Sequence, residues 1–204
     1  MQAYMKSAMP YHGVSTPERR KIIAEVFREI AFAHAREWEA EVRGLWRGAK
    51  FREERYAALT LTEHKSAQAF QTPAAMPLYE ELIVSGAWWD YVDGLASHQV
   101  GGILREYPKE MKAMMRQWSK DADRWKRRTA IISQLGFKKE TDLKLLYDCI
   151  EPSLDSKEFF LRKAIGWALR QYAWTDPKEI VRYVCENEKR LSGLSKREAL
   201  KNIT

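Results

Sequence analysis

The stretch "SGAWWDYVDGLA", residues 85–96, carries a pattern that recurs along the chain. Related stretches are "REERYAAL" (52–59), "WKRRTAII" (125–132) and "FLRKAIGWAL" (160–169). When the four are superimposed, the equivalent positions, 38, 35 and 35 residues apart, are held by Arg55, Asp93, Arg128 and Lys163. A period in this range, with two helices per unit, is typical of a HEAT-like helical-repeat solenoid. An irregular helical bundle is the alternative interpretation.

The remaining sequence also predicts helices joined by short loops. One segment begins at "STPERRK", where Ser15 or Thr16 can cap a helix and Pro17 suits its first turn. Elsewhere apolar residues recur at helical spacing, and "FREERYAALTLTEHKSAQAF" (51–70) reads as a single helix. No stretch alternates with period two, so no strand is predicted. We expect an all-α chain that forms a single domain over residues 1–204.

Composition and charge restrict the class of partner. The net charge of +7 favours a polyanionic partner, most often nucleic acid. No apolar run approaches the roughly 20 residues that span a bilayer, and no signal segment opens the sequence. Cys149 and Cys185 form no CxxC pair, so we expect both to be buried and reduced, as in the bacterial cytoplasm. The scattered histidines predict no metal site.

A candidate site follows from the repeat. Trp88, Val92 and Leu95 share one helical face, which we expect to be buried. Trp89 and Asp93 lie four residues apart and share a neighbouring face of the same helix. Arg124 and Arg128 have the same spacing, as do Lys163 and Trp167, so each pair shares one face of its own helix. Because equivalent positions of successive repeats line one wall, the sequence predicts a basic concave surface suited to a phosphate backbone. The carboxylate of Asp93 and the indoles of Trp89 and Trp167 interrupt this basic surface.

These residue types suit cleavage of an N-glycosidic bond. An indole offers its π face to a cation or a sugar, and arginine can grip a phosphate. A carboxylate can stabilise a developing oxocarbenium ion or orient a water molecule. Ordinary glycosidases need a second carboxyl group to protonate the leaving group. An alkylated purine that already carries positive charge leaves as a neutral base, so one carboxylate suffices.

Several motifs resemble those of the AlkD-type DNA alkylation repair proteins, which are HEAT-like-repeat DNA glycosylases. The resemblance runs nearly end to end and is carried by "QAYMKSAMPYHGVSTPERRK", "ELIVSGAWWDYVDGLA", "DRWKRRTAIISQLGFK", "SKEFFLRKAIGWALRQYAWTDP" and "LSKREALK". The matching positions imply catalytic roles for Trp89, Asp93, Arg128 and Trp167. Tyr4 matches a position near the DNA. The family usually has about one further helix before "AYMKS", a difference that we expect to affect DNA affinity more than chemistry.

The resemblance implies a specific activity. It implies a monofunctional glycosylase that excises N3-methyladenine, N7-methylguanine and bulkier adducts from double-stranded DNA in base excision repair. The lesion is captured without flipping into a pocket, unlike the usual strategy. No cofactor and no membrane are expected, and the protein should act as a monomer. Candidate phosphate contacts are Lys120, Arg124, Lys126, Arg127, Lys163 and Arg170.

The sequence is also compatible with two other functions. A non-catalytic HEAT-repeat protein that binds structured DNA or RNA would need the basic surface but neither the indoles nor the carboxylate. A protein-binding helical repeat is disfavoured by the net charge of +7.

Overall fold

The computed structural model describes residues 2–5 and 7–203, without the side chains of residues 2 and 3. Within these ranges the chain is helical and contains no strand, which confirms the all-α prediction. None of the helices described is long and apolar enough to cross a membrane. The chain divides into two compact units, Met1–Leu78 and Tyr79–Thr204. The solenoid and the single domain stay predictions.

Among the described residues of the first unit, four α-helices end before the division. They are α1 (Gln2–Met5), α2 (Thr16–Val26), α3 (Ala35–Gly48) and α4 (Arg52–Thr62). Helix α2 begins with a capping box, in which Ser15 accepts from the N–H of Glu18 and the Glu18 carboxylate accepts from the N–H of Ser15. Helix α3 packs against α4 and buries Trp38, Val42 and Trp46.

The predicted helix over 51–70 is interrupted. Helix α4 ends at Thr62, and a 3₁₀ helix follows at Lys65–Phe70. The break lies at His64, whose ring nitrogen accepts a hydrogen bond from the N–H of Ser66 and so caps the second segment. A second 3₁₀ turn, Pro73–Ala75, leads into α5 (Met76–Gly86), within which the two units divide.

The second unit contains the remaining helices. After α5 come α6 (Trp89–Leu95), α7 (Gly101–Glu106), α8 (Pro108–Trp118), α9 (Arg124–Ile132), α10 (Leu143–Ile150), α11 (Phe159–Ala173), α12 (Pro177–Glu186) and α13 (Gly193–Ala199). A π-helical segment, Ala96–Val100, joins α6 to α7 without a break. Short 3₁₀ turns lie at Lys138–Glu140 and Glu151–Ser153.

Four helices of this unit start at regular intervals. Helices α6, α9, α11 and α13 begin at residues 89, 124, 159 and 193, which are 35, 35 and 34 residues apart. Helix α9 packs against both α6 and α11, and α11 packs against α13. Residues about 35 positions apart therefore lie on neighbouring helices, as the repeated sequence pattern predicts.

The buried face of α6 largely agrees with the sequence pattern. Val92 and Leu95 are buried as expected. Trp88 precedes the helix and is only partly buried, with its ring 5.6 Å from that of Phe160 and 6.4 Å from that of Trp125.

One cysteine prediction is wrong. Cys149 is buried, but Cys185 is exposed. The buried side chains of α12 are Ile180, Tyr183 and Val184, and Cys185 falls on the other side of that helix.

Candidate functional site

The residues of the candidate site lie on α6, α9 and α11. Trp88 has an extended backbone (φ −148°, ψ 144°), after which α6 begins at Trp89 and places Asp93 one turn further on. Helix α9 is capped by Asp123, whose carboxylate accepts from the N–H groups of Trp125 and Lys126. Asp93 and Arg128 are each the fifth residue of their helix, and these two helices are in contact.

Asp93 and Arg128 form a two-pronged ion pair. Arg128 Nε donates to Asp93 Oδ1 and Nη2 donates to Oδ2, both at 2.7 Å. Arg128 Nη1 donates to the main-chain carbonyl of Phe160 at 2.5 Å. The arginine side chain is 5% exposed and that of Asp93 is 15% exposed. This geometry fixes both carboxylate oxygens and leaves a small part of Asp93 open to a ligand.

The pKa of Asp93 is raised above its ordinary value of 3.8. Burial is the main cause, because it penalises the charged form, and the negative charge of Asp90 adds to it. The hydrogen bonds and charge of Arg128 act in the opposite direction. Asp93 is therefore a carboxylate of increased basicity held in one orientation.

An aromatic cluster lies beside Arg128. The Phe160 ring lies 4.9 Å from that of Trp125, and Arg128 lies 6.0 Å from the centroid of the Phe160 ring. Trp88 completes this cluster. Sequence reasoning did not assign Phe160 a part in the site. Its position 32 residues after Arg128, close to the repeat period, is the signal that could have found it.

The two candidate indoles lie on the two helices α6 and α11, each of which contacts α9. Trp89 is partly buried and lies four residues before Asp93 on α6. Trp167 is partly buried on α11, where it packs against the hydrophobic core of the second unit. The catalytic roles assigned to Trp89 and Trp167 stay predictions.

Most candidate phosphate contacts are engaged within the protein. Lys126 pairs with Glu80 at 2.7 Å and with Asp121 at 2.6 Å. Arg127 donates to the hydroxyl of Ser153 and to a main-chain carbonyl. These bonds must break or be shared before either side chain can bind a phosphate.

Glu198 forms ion pairs with two further candidate phosphate contacts. Its carboxylate accepts from Lys163 Nζ at 2.8 Å and from Arg170 Nη1 at 2.5 Å. These interactions lower the pKa of Glu198, led by the hydrogen bond from Lys163. Glu198 lies 35 residues after Lys163, and this spacing is the signal that sequence reasoning missed.

Three other candidates are exposed. Arg124 is 48% exposed and pairs with Glu158 at 3.3 Å. Lys120 is exposed, without an ion pair among the described residues. Tyr4 on α1 is 75% exposed. Across residues 2–5 and 7–203, no cluster of three His, Cys, Asp or Glu side chains could hold a metal ion.

Comparison with known proteins identifies the family of this chain. A family model described as DNA alkylation repair enzyme matches residues 1–203. The chain belongs to this family of DNA alkylation repair enzymes. A solved structure described as a predicted DNA alkylation repair enzyme from Enterococcus faecalis is similar, with 28% identity and a TM-score of 0.82. The match covers 100% of this chain and 93% of that one. A comparison with curated proteins gives no match.

Proposed function

We propose that this protein is a monofunctional DNA glycosylase. It hydrolyses the N-glycosidic bond of positively charged alkylated purines, including N3-methyladenine, N7-methylguanine and bulkier adducts, in base excision repair. The observation that carries the proposal is the carboxylate of Asp93, which is largely buried and held through both oxygens by Arg128. Membership of the alkylation repair family supplies the substrate class.

The chemistry needs one carboxylate. A cationic purine leaves as a neutral base, so no acid has to protonate it. Each oxygen of Asp93 accepts one hydrogen bond from Arg128 and retains a lone pair for another partner. Asp93 can therefore face the anomeric carbon and stabilise the sugar cation, or orient the attacking water molecule.

Arg128 acts as a positioning residue in this proposal. Three of its N–H groups are used by Asp93 and by the carbonyl of Phe160. It therefore fixes the carboxylate rather than a DNA phosphate. Breaking such a buried pair by removing one partner typically costs about 3–5 kcal/mol.

Trp89 and Trp167 would contact the sugar on either side of the carboxylate. Their partly buried rings belong to two helices that flank α9. Capture between indoles requires no enclosed base pocket, which supports recognition without base flipping and tolerance of bulky adducts. Lys120 and Arg124 are the exposed cations closest in sequence to Arg128, and they would contact the DNA backbone.

The test is release of free methylated bases from N-methylated duplex DNA. Asp93→Asn should lower the single-turnover rate of N7-methylguanine release by at least 100-fold while changing DNA affinity by less than threefold. The matched control is Asp148→Asn, which also removes an ion-paired carboxylate, the partner of Arg116 and Lys144. It should retain the rate.

Thermal melting separates loss of folding from loss of chemistry in both variants. Native rates in a folded Asp93→Asn variant would contradict the mechanism. Salt-dependent DNA binding by the wild type without any base release would instead support a non-catalytic nucleic-acid-binding protein.

A further inference from the structure

A groove lies at the C-terminal ends of α7, α9 and α11. It has a volume of about 580 Å³, within the usual range for small-molecule sites. Its lining includes Arg105, Phe137, Lys138, Lys139, Glu140 and Trp174. All of these residues belong to the second unit.

The groove is separate from the Asp93 site. Asp93 and Arg128 lie within α6 and α9, whereas Trp174 follows the last residue of α11. Trp174 is seven residues beyond Trp167, which corresponds to roughly 10 Å along a helix. None of Trp89, Asp93, Arg128 and Trp167 lines the groove.

Trp174 gives the groove an exposed aromatic ring. It is 71% exposed, and within the described part of the chain its ring is stacked on no other ring. A tryptophan this exposed leaves a large apolar surface in water. A flat indole beside cationic groups is the arrangement with which proteins bind the bases of single-stranded nucleic acids.

Two of the three cations that line the groove are available. Lys138 and Lys139 are exposed, and neither forms an ion pair among the described residues. Arg105 lies 4.4 Å from the centroid of the Phe137 ring and pairs with Glu140 at 3.0 Å. Three cations and one carboxylate give the lining a net positive charge, which suits a phosphate.

The backbone of Lys138 adds a second observation. Its φ of 53° lies in the left-handed region, which is strained for lysine and natural for glycine or asparagine. Basic side chains near helix C-termini also complement the helix dipole. That effect accounts for the lysines but not for the exposed indole or for a lysine at a strained position.

We propose that this groove binds a nucleotide, with the base stacked on Trp174 and the phosphate held by Lys138 and Lys139. The proposal stands apart from the base-excision function and uses none of its residues. The same chemistry fits a free mononucleotide and a nucleotide within a single strand.

The experiment titrates the full chain with deoxyadenosine monophosphate and, separately, with a fluorescent single-stranded oligodeoxyadenylate of about eight nucleotides. Quenching of tryptophan fluorescence should accompany binding and disappear in Trp174→Phe. Trp174→Ala should weaken oligonucleotide binding at least tenfold, measured by anisotropy. Lys138→Asn keeps a residue that tolerates the left-handed backbone, and it should weaken binding several-fold.

The matched control is Phe159→Ala, which removes another exposed aromatic side chain at the opposite end of α11. It should leave binding unchanged, and Trp174→Ala should retain base release from methylated duplex DNA. Saturation by the mononucleotide identifies a free-nucleotide site, and binding of the oligonucleotide alone identifies a strand site. Equal quenching in wild type and Trp174→Phe, or equal binding of an acidic peptide, would overturn the proposal.

Discussion

Burial and the Arg128 guanidinium group shift the pKa of Asp93 in opposite directions. Burial disfavours the charge, while Arg128 stabilises it through two hydrogen bonds, and the pKa is raised. Below pH 3.8 the carboxyl group is neutral in both folded and unfolded chains. As the pH rises through the elevated pKa, the folded state bears the cost of a buried charge, so this group's contribution to stability falls. The carboxylate needed for catalysis forms over the same window.

The pH dependence of base release follows from this raised pKa. The rate should fall on the acid side as Asp93 is protonated, with a midpoint above the 3.8 of an ordinary aspartate. Arg128→Lys cannot donate the same pair of hydrogen bonds, so the midpoint should move to higher pH. Single-turnover rates between pH 4 and 8, corrected for spontaneous base loss, provide the measurement. An identical midpoint in wild type and Arg128→Lys would contradict the role of Arg128 in tuning Asp93.

At the scale of helices, α11 and α13 pack closely against each other in the second unit. Gly166 faces α13 so closely that an added Cβ would lie 2.5 Å from Glu198 Cβ and 2.9 Å from the Ser195 carbonyl oxygen. The same face of α13 is tied to α11 by Ser195 Oγ, which donates to the carbonyl of Arg162. Helix α11 also carries Trp167, so this contact supports the candidate site.

Gly166→Ala tests this helix contact. The added methyl group should force α11 and α13 apart and destabilise the protein by about 1–3 kcal/mol, despite the better helix propensity of alanine. Gly102→Ala in α7 is the control, because an added Cβ there meets nothing within 4 Å. It should be stabilising by up to about 1 kcal/mol. Urea unfolding measures both changes, and a Gly166→Ala variant as stable as Gly102→Ala would show that the two helices can separate freely.

The sequence predicts the helices better than it predicts the pairing of their side chains. The capping residues Ser15 and Pro17 locate the start of α2, and the repeat places Asp93 and Arg128 on neighbouring helices. Spacing alone does not specify which side chains turn toward each other. The sequence therefore predicts a catalytic role for Arg128 without naming its partner, and in the structure its guanidinium donates to both oxygens of Asp93.

At the scale of the whole molecule, the net charge of +7 overstates the number of cations that are free to bind DNA. Lys126 is held by Glu80 and Asp121, while Lys163 and Arg170 share Glu198. Each phosphate contact contributes about −0.9 to the slope of log Kobs against log salt concentration. A count of basic residues therefore predicts a steeper salt dependence than the structure supports.

Removing Glu198 should release two of these cations. Glu198→Gln leaves Lys163 and Arg170 without their shared carboxylate, so duplex DNA should bind more tightly at low salt. The slope should steepen by up to about 1.8, since each new phosphate contact adds about 0.9. Glu151→Gln changes the net charge equally but removes only one of the two carboxylate partners of Arg190, which is outside the predicted DNA-binding set. Anisotropy titrations between 50 and 300 mM salt, analysed by the linear relation, distinguish the two variants. Equal slopes would mean that Lys163 and Arg170 do not face the DNA, and the predicted basic surface would then have to lie elsewhere on the protein.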